Sequence, residues 1–183
     1  AFVIFLVVVA LVFDFLNGFH DSSNSISTIV STRVLKPQHA VLWAAFFNFI
    51  AAFFIGTAVA HTVGKGIIHI DIVDNLVILA ALSGAIIWNI TTWYYGLPSS
   101  SSHALIGGLI GAGVAKGGVD TLVWSGIIKT TLFIVLSPMI GLILGYVFMM
   151  LSLYLNRHSN VQKTDKIYRK LQFISSAIYS LGH

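Results

Sequence analysis

The sequence predicts an all-α polytopic membrane protein whose helices are broken by polar stretches, one of them forming a re-entrant-type hairpin. Three observations carry this. Hydrophobic residues fill 57% of the 183 positions and charged residues only 9%, against about 25% charged in soluble domains. Apolar runs recur at lengths suited to spans of about 20 residues, and no charge falls between Asp74 and Lys116. Two polar clusters, "DFLNGFHDSSNS" and "PSSSSH", lie inside apolar sequence instead of between spans. Irregular backbone at membrane depth is tolerated only where protein or a water-filled cavity surrounds it, so both clusters should face inward.

The elements follow in order. Residues 1–32 read as a broken helix: the arm Ala1 to Phe13 is too short to cross alone, the polar cluster interrupts it, and "ISTIVST" resumes toward Arg33. Pro37 suits a first helical turn and opens an aromatic helix over 39–63. A polar link holding Asp71 and Asp74 leads to a helix over 75–95, which stops at Gly96-Leu97-Pro98. Pro98 ends one helix and presets φ for the next, so 96–115 reads as a Ser-rich break followed by a short apolar arm. A long helix over 121–155 completes the membrane block, 156–170 is a polar loop, and 171–183 begins another segment. A start inside an apolar run without methionine, and a stop at "YSLGH", predict a fragment of a longer protein.

Charge orients the spans and excludes other classes. Arg33 and Lys36 mark the loop 33–39, and five basic residues mark 156–170. The positive-inside rule places both in the cytoplasm, with Ala1 outside and Lys129 snorkelling to the outer interface. The net charge of +4 resides in those clusters and forms no phosphate-tracking patch, so nucleic acid is not a partner. The absence of cysteine removes disulfide, thiol and zinc-thiolate chemistry. No cofactor and no metal site is predicted.

The polar clusters set the chemistry. Discontinuous helices build transporter sites near the bilayer midplane. Serines at a helix start expose hydroxyls beside unpaired N–H groups, and the positive dipole end favours an oxyanion. Ser99, Ser100, Ser101, Ser102 and His103 are therefore candidate anion ligands, with no Arg or Lys beside them. Asp21, Asn24 and Ser25 offer an anionic and two neutral oxygens, a donor set for a hard cation such as sodium. The alternatives are bland ones: serines as packing glue, Asp21 and Asp14 as caps, His103 as a helix-start residue, Asn48 as an internal hydrogen-bonder. Gly107-x3-Gly111 and Gly141-x3-Gly145 read as close helix packing. Asn89-Ile-Thr91 matches a glycosylation sequon but lies within a span. A serine hydrolase using Ser102, His103 and Asp21 is disfavoured, because adjacent side chains on a helix diverge; no catalytic residue is assigned. A non-transporting membrane receptor is a further rival, disfavoured by two broken helices.

"FDFLNGFHDSSNSISTIVSTRVLKPQHAV" together with "GLPSSSSHALIGGLIGA" resembles the inorganic phosphate transporter (PiT) family of sodium- or proton-coupled phosphate permeases, of the bacterial low-affinity type. The resemblance covers nearly the whole chain and implies one half of an inverted-repeat transporter. Residues 1–155 would be the first transmembrane repeat, and 171–183 the truncated start of the second, whose remainder is the missing partner. It associates Asp21 and Asn24 with cation coupling and phosphate, Ser100, Ser101 and Ser102 with phosphate, and His103 with the histidine ending that run. Asn48 stands where many eukaryotic members have glutamate and is a candidate for the substrate pathway. The implied activity is secondary active import of phosphate, coupled to sodium or protons, across the cell (inner) membrane, with a homodimer compatible. A related branch carrying sulfate is the alternative.

Overall fold

In hydrocarbon, a backbone without water satisfies its polar groups by folding into helix. The computed structural model, which describes residues 1–54 and 66–182, is helical almost throughout. The order is α1 (Phe2–Ser31), α2 (Pro37–Phe54), α3 (Asn75–Tyr94), α4 (Ser101–Gly117), α5 (Trp124–Asn156) and α6 (Val161–Leu181), with 3-10 turns at Ile70–Ile72 and Val119–Thr121. α1, α3 and α5 are each long and apolar enough to cross a membrane. The all-α polytopic class therefore holds. The end of the helix expected over 39–63, from 55 onward, lies outside the described residues, as does His183.

Two boundaries differ from expectation. α1 runs unbroken through residues 14–25, since the stretch holds no proline and its backbone ladder can continue. Within it, His20 Nδ1 lies 3.0 Å from the Leu16 carbonyl of the same helix. Without a proline, Gly18 alone weakens the helix by only about 1 kcal/mol relative to alanine. The polar loop expected over 156–170 is mostly helix, since α6 already starts at Val161. Asn160 caps it, its side chain accepting from the amides of Gln162 and Lys163, and Asp165 pairs with Arg169 one turn on at 2.9 Å.

The chain divides into two compact units, Ala1–Asp21 with Gly56–Ile128, and Ser22–Ile55 with Lys129–His183. In the first, α3 and α4 form an antiparallel hairpin. A Cβ at Gly108 would lie 2.3 Å from the Ala81 carbonyl oxygen, so glycine sets the spacing of the two backbones. Gly107 and Gly111 would meet nothing within 4 Å, nor would Gly141 and Gly145; the close-packing glycine of the α4 pair expectation is thus Gly108. Phe13 of α1 packs with Leu82 and Ala85 of α3, beside Ala104 and Leu105 of α4. At the far end Ile67, Ile68, Val77 and Leu122 form a second apolar cluster, held by His69 N donating to Thr121 O and Val123 N donating to Ile67 O, each at 2.9 Å.

The same end carries an exposed ion pair, Lys116 Nζ with Asp74 Oδ2 at 2.5 Å. Asp74 also caps α3, accepting from the amides of Leu76 and Val77. The Lys116 ammonium, then these amides, hold the Asp74 carboxyl below its ordinary value. A lowered folded pKa adds stability above the unfolded value, about 3.9, and loses it as pH falls through the folded one. Asp74→Asn keeps the cap but removes the charge. Its melting temperature should fall slightly below wild type at pH 7, and the difference should begin to shrink near the unfolded value, about 3.9, and vanish only below the lowered folded one; a pH-independent difference would assign the effect to packing.

In the second unit α6 packs on α2 and on the last turns of α1. Trp43 and Phe173 meet edge-on with centroids 5.5 Å apart, Thr32 Oγ1 donates to Gln172 Oε1 at 2.6 Å, and Ser176 Oγ donates to Ser25 O at 3.1 Å. Small residues on these faces, Ala40, Ala44, Ala177 and Ser180 among them, are buried.

Candidate functional site

The candidate site is the start of α4, and the turn before it fixes its geometry. α3 ends in a left-handed cap at Gly96, φ 65°, where any side chain would be strained. Gly96 N donates to Trp93 O at 3.1 Å and Leu97 N donates to Thr92 O at 2.8 Å, the paired bonds of a Schellman ending. Pro98 and Ser99 follow, and Ser99 Oγ shares a hydrogen bond of 2.9 Å with Thr92 Oγ1. Ser100 is the N-cap of α4, with extended φ −102° and ψ 125°. Its hydroxyl accepts from the His103 amide at 3.4 Å. Helix geometry leaves the Ser101 and Ser102 amides without an intrahelical acceptor.

Pro98, Ser99, Ser100 and His103 line a cavity of about 860 Å³, with Trp88 and Gly84 of α3 on another wall and no charged side chain among its lining residues. A pocket with apolar walls and a few convergent polar groups suits a small ligand, and this one is built around a helix N-terminus. Ser102 is exposed and is not one of the lining residues. Ser101 is turned away, 1% exposed, its hydroxyl buried and unpartnered among the described residues. The four serines thus divide: Ser99 and Ser100 line the cavity, Ser102 is exposed away from it, and Ser101 lies inside the hairpin.

The acidic cluster lies on α1. Asn24 and Ser25 line a second cavity of about 330 Å³ with Ser27, Thr28, Ser175, Ser176 and Tyr179, all oxygen-bearing side chains. Ser25 is 2% exposed. Asp21 is half-buried one turn earlier and is not among the lining residues. This oxygen-rich set suits a hard cation better than a soft one. Ser175, Ser176 and Tyr179 escaped sequence reasoning because "ISSAIYS" resembles ordinary helix packing; only the register of α6 against α1 brings them in. Thr92 was missed for a similar reason, though the spacing Ala81, Ala85, Asn89, Thr92 marks one face of α3. Asn48 is exposed on α2. Among the described residues no group of three His, Cys, Asp or Glu side chains is placed to hold a metal.

Comparison with known proteins agrees with this architecture. The Phosphate transporter family matches residues 17–183. A probable low-affinity inorganic phosphate transporter of Rhizobium meliloti (strain 1021) is 58% identical over 97% of this chain and 53% of its own length. One from Streptomyces halstedii is 48% identical over 99% of this chain and 85% of its length. A solved structure titled "The sodium-dependent phosphate transporter" superposes with a TM-score of 0.74 at 24% identity, over 96% of this chain and 53% of that one, and so shares the fold. The chain spans about half the length of several of the relatives it matches. These relatives are transporters and not enzymes, which sets aside the serine hydrolase. A hairpin broken at a serine-capped helix, within an all-helical membrane chain that this family matches over residues 17–183, places the protein in the phosphate transporter family.

Proposed function

We propose that this chain is the first repeat of a secondary transporter that imports inorganic phosphate together with sodium ions or protons. The start of α4 carries the reading. There Ser99, Ser100 and His103 face one cavity, and the free amides of Ser101 and Ser102 point along the helix axis at its positive end. Such groups replace water around an oxyanion. No fixed positive charge lines the cavity, so bound phosphate is held reversibly and its charge is balanced by a co-transported cation. Asp21, Asn24 and Ser25 supply that cation's oxygens. Asn48 lies along the substrate pathway, and the second repeat, rocking against this one, gives alternating access. The protein sits in the cell (inner) membrane with 33–39 and 156–170 in the cytoplasm, and a homodimer is compatible with this arrangement. The names of the relatives support phosphate as the substrate.

The test uses the full-length transporter in proteoliposomes. Ser100→Ala removes the cap and one cavity hydroxyl. A hydrogen bond to a charged group is worth roughly 1.5–3 kcal/mol, so phosphate uptake should fall about 10- to 100-fold while the protein still folds. Wild-type uptake by the folded variant refutes the assignment. Unlabelled sulfate that competes as well as phosphate would turn the reading to the sulfate alternative.

A further inference from the structure

Two basic stretches that lie far apart in the sequence meet at one end of the second unit. Thr32 Oγ1 donates to Gln172 Oε1 at 2.6 Å, which ties the turn carrying Arg33 and Lys36 to α6. Lys170 stands two residues before Gln172, about 3 Å of helix rise, and Lys166 and Lys163 follow one and two turns nearer the start of α6. Asp165 is the sole acid within residues 22–55 and 129–183, and it is engaged by Arg169. The three lysines are exposed and form no ion pair among the described residues. A basic band of this kind repels itself until an anion lies against it.

The packing of α6 fixes which way the band faces. Tyr168 OH shares a hydrogen bond of 2.7 Å with Ser152 Oγ and accepts from Asn156 Nδ2 at 2.8 Å, so this side of the helix is held against α5. Lys166 and Lys170 lie two positions to either side of Tyr168, about 200° round the helix at about 100° per residue, and so point away from α5. Lys163 and Lys170 share a face with Ile167 and Ile174, at the spacing i, i+4, i+7, i+11. The two isoleucines are 48% and 57% exposed. Along α6 that face passes from ammonium groups to bare aliphatic side chains. A bilayer boundary has the same gradient: lysine stems lie along acyl chains while their charged heads reach the phosphate layer. A water-soluble acidic partner would answer the lysines and leave the adjoining isoleucines uncovered.

We infer that the start of α6, with the α1–α2 turn beside it, is a docking surface for anionic phospholipid headgroups, whose phosphates pair with Lys163, Lys166 and Lys170. Orientation by positive charge asks only which side of the membrane the lysines occupy. A docking surface asks in addition which headgroup lies against them, so the protein's stability depends on lipid charge. The inference concerns lipid and not the transported ion, and it stands independently of the phosphate reading above.

The experiment measures the melting temperature of the full-length transporter in nanodiscs of pure phosphatidylcholine and of an equal mixture with phosphatidylglycerol. Wild type should melt several degrees higher in the mixture, and the gain should shrink in high salt. The triple variant Lys163→Gln, Lys166→Gln, Lys170→Gln should lose most of the gain yet match wild type in pure phosphatidylcholine. Arginine at the same three positions should preserve it. A wild type without the gain, a glutamine variant that keeps it, or an arginine variant that loses it overturns the inference. So does a glutamine variant that melts lower by the same amount in both lipids, because the lysines would then contact protein. If the glutamine variant does not fold, Lys170→Gln alone should lose part of the gain, and an undiminished gain there overturns the inference. The last arm adds inorganic phosphate to pure phosphatidylcholine nanodiscs. Any stabilisation it gives should be equal in wild type and the glutamine variant; stabilisation lost in the variant would assign the band to free phosphate instead of lipid.

Discussion

Replacing Gly108 with alanine is expected to lower the melting temperature of the full-length transporter by several degrees and to abolish most of its phosphate uptake. The new Cβ would stand 2.3 Å from the Ala81 carbonyl oxygen, 3.1 Å from its carbon and 3.2 Å from its Cα. All three are backbone atoms of α3, so no flexible side chain can yield, and the helices must part. Overpacking of this kind costs typically about 1–3 kcal/mol, and in a membrane, where packing supplies most of the drive for helix association, such close approaches matter more. The functional loss should exceed the stability loss. The bond between Thr92 and Ser99 and the burial of Ser101 both depend on the hairpin spacing, so moving α4 moves the proposed anion-binding groups together. Gly111→Ala is the control for the fold, because a Cβ there meets nothing within 4 Å, and its melting temperature should match wild type. Measured melting curves and uptake decide the matter; a Gly108→Ala protein that melts and transports normally would show that the hairpin tolerates a wider gap.

Asp21→Asn should remove the dependence of phosphate uptake on its coupling cation, with uptake at saturating cation falling about 100-fold (the factor matching roughly 2.7 kcal/mol). Asp21 is half-buried on α1, one turn from Asn24 and Ser25. A carboxylate at mid-membrane costs roughly 2.5–3.5 kcal/mol on insertion scales, a cost that a bound ion or proton offsets. Asparagine preserves the shape and removes the charge proposed to recruit the ion. Uptake is measured against sodium at fixed pH and against pH at fixed sodium. Loss of one dependence names the coupling ion; both dependences surviving unchanged would sink the proposed role of Asp21.

Particular residues show how far sequence reasoning reached. Pro98 stopped α3 and launched α4 as expected, because its ring acts on φ locally and needs no tertiary partner. The serine run was recognisable as a helix start for the same reason. The supposed break at 14–25 was not one. The His20 imidazole, which reads like a loop residue, lies against the Leu16 carbonyl of its own helix, and composition alone cannot distinguish the two outcomes. α6 began earlier than hydropathy suggested, since an asparagine cap and a charged face form helix without being apolar.

By itself the sequence determined the membrane class, the helical content, the break at Pro98 and the serine-rich helix start, all consequences of hydropathy and local backbone sterics. Only the tertiary structure decided which serines face the cavity and which enters the hairpin, that Gly108 rather than Gly107 or Gly111 bears the α3 contact, and that Asn89 is buried without a hydrogen-bond partner among the described residues. Those depend on the phase and register of one helix against another. Adjacent positions on a helix differ by about 100° in direction, so neighbouring, chemically equivalent residues are separated only by what packs against them.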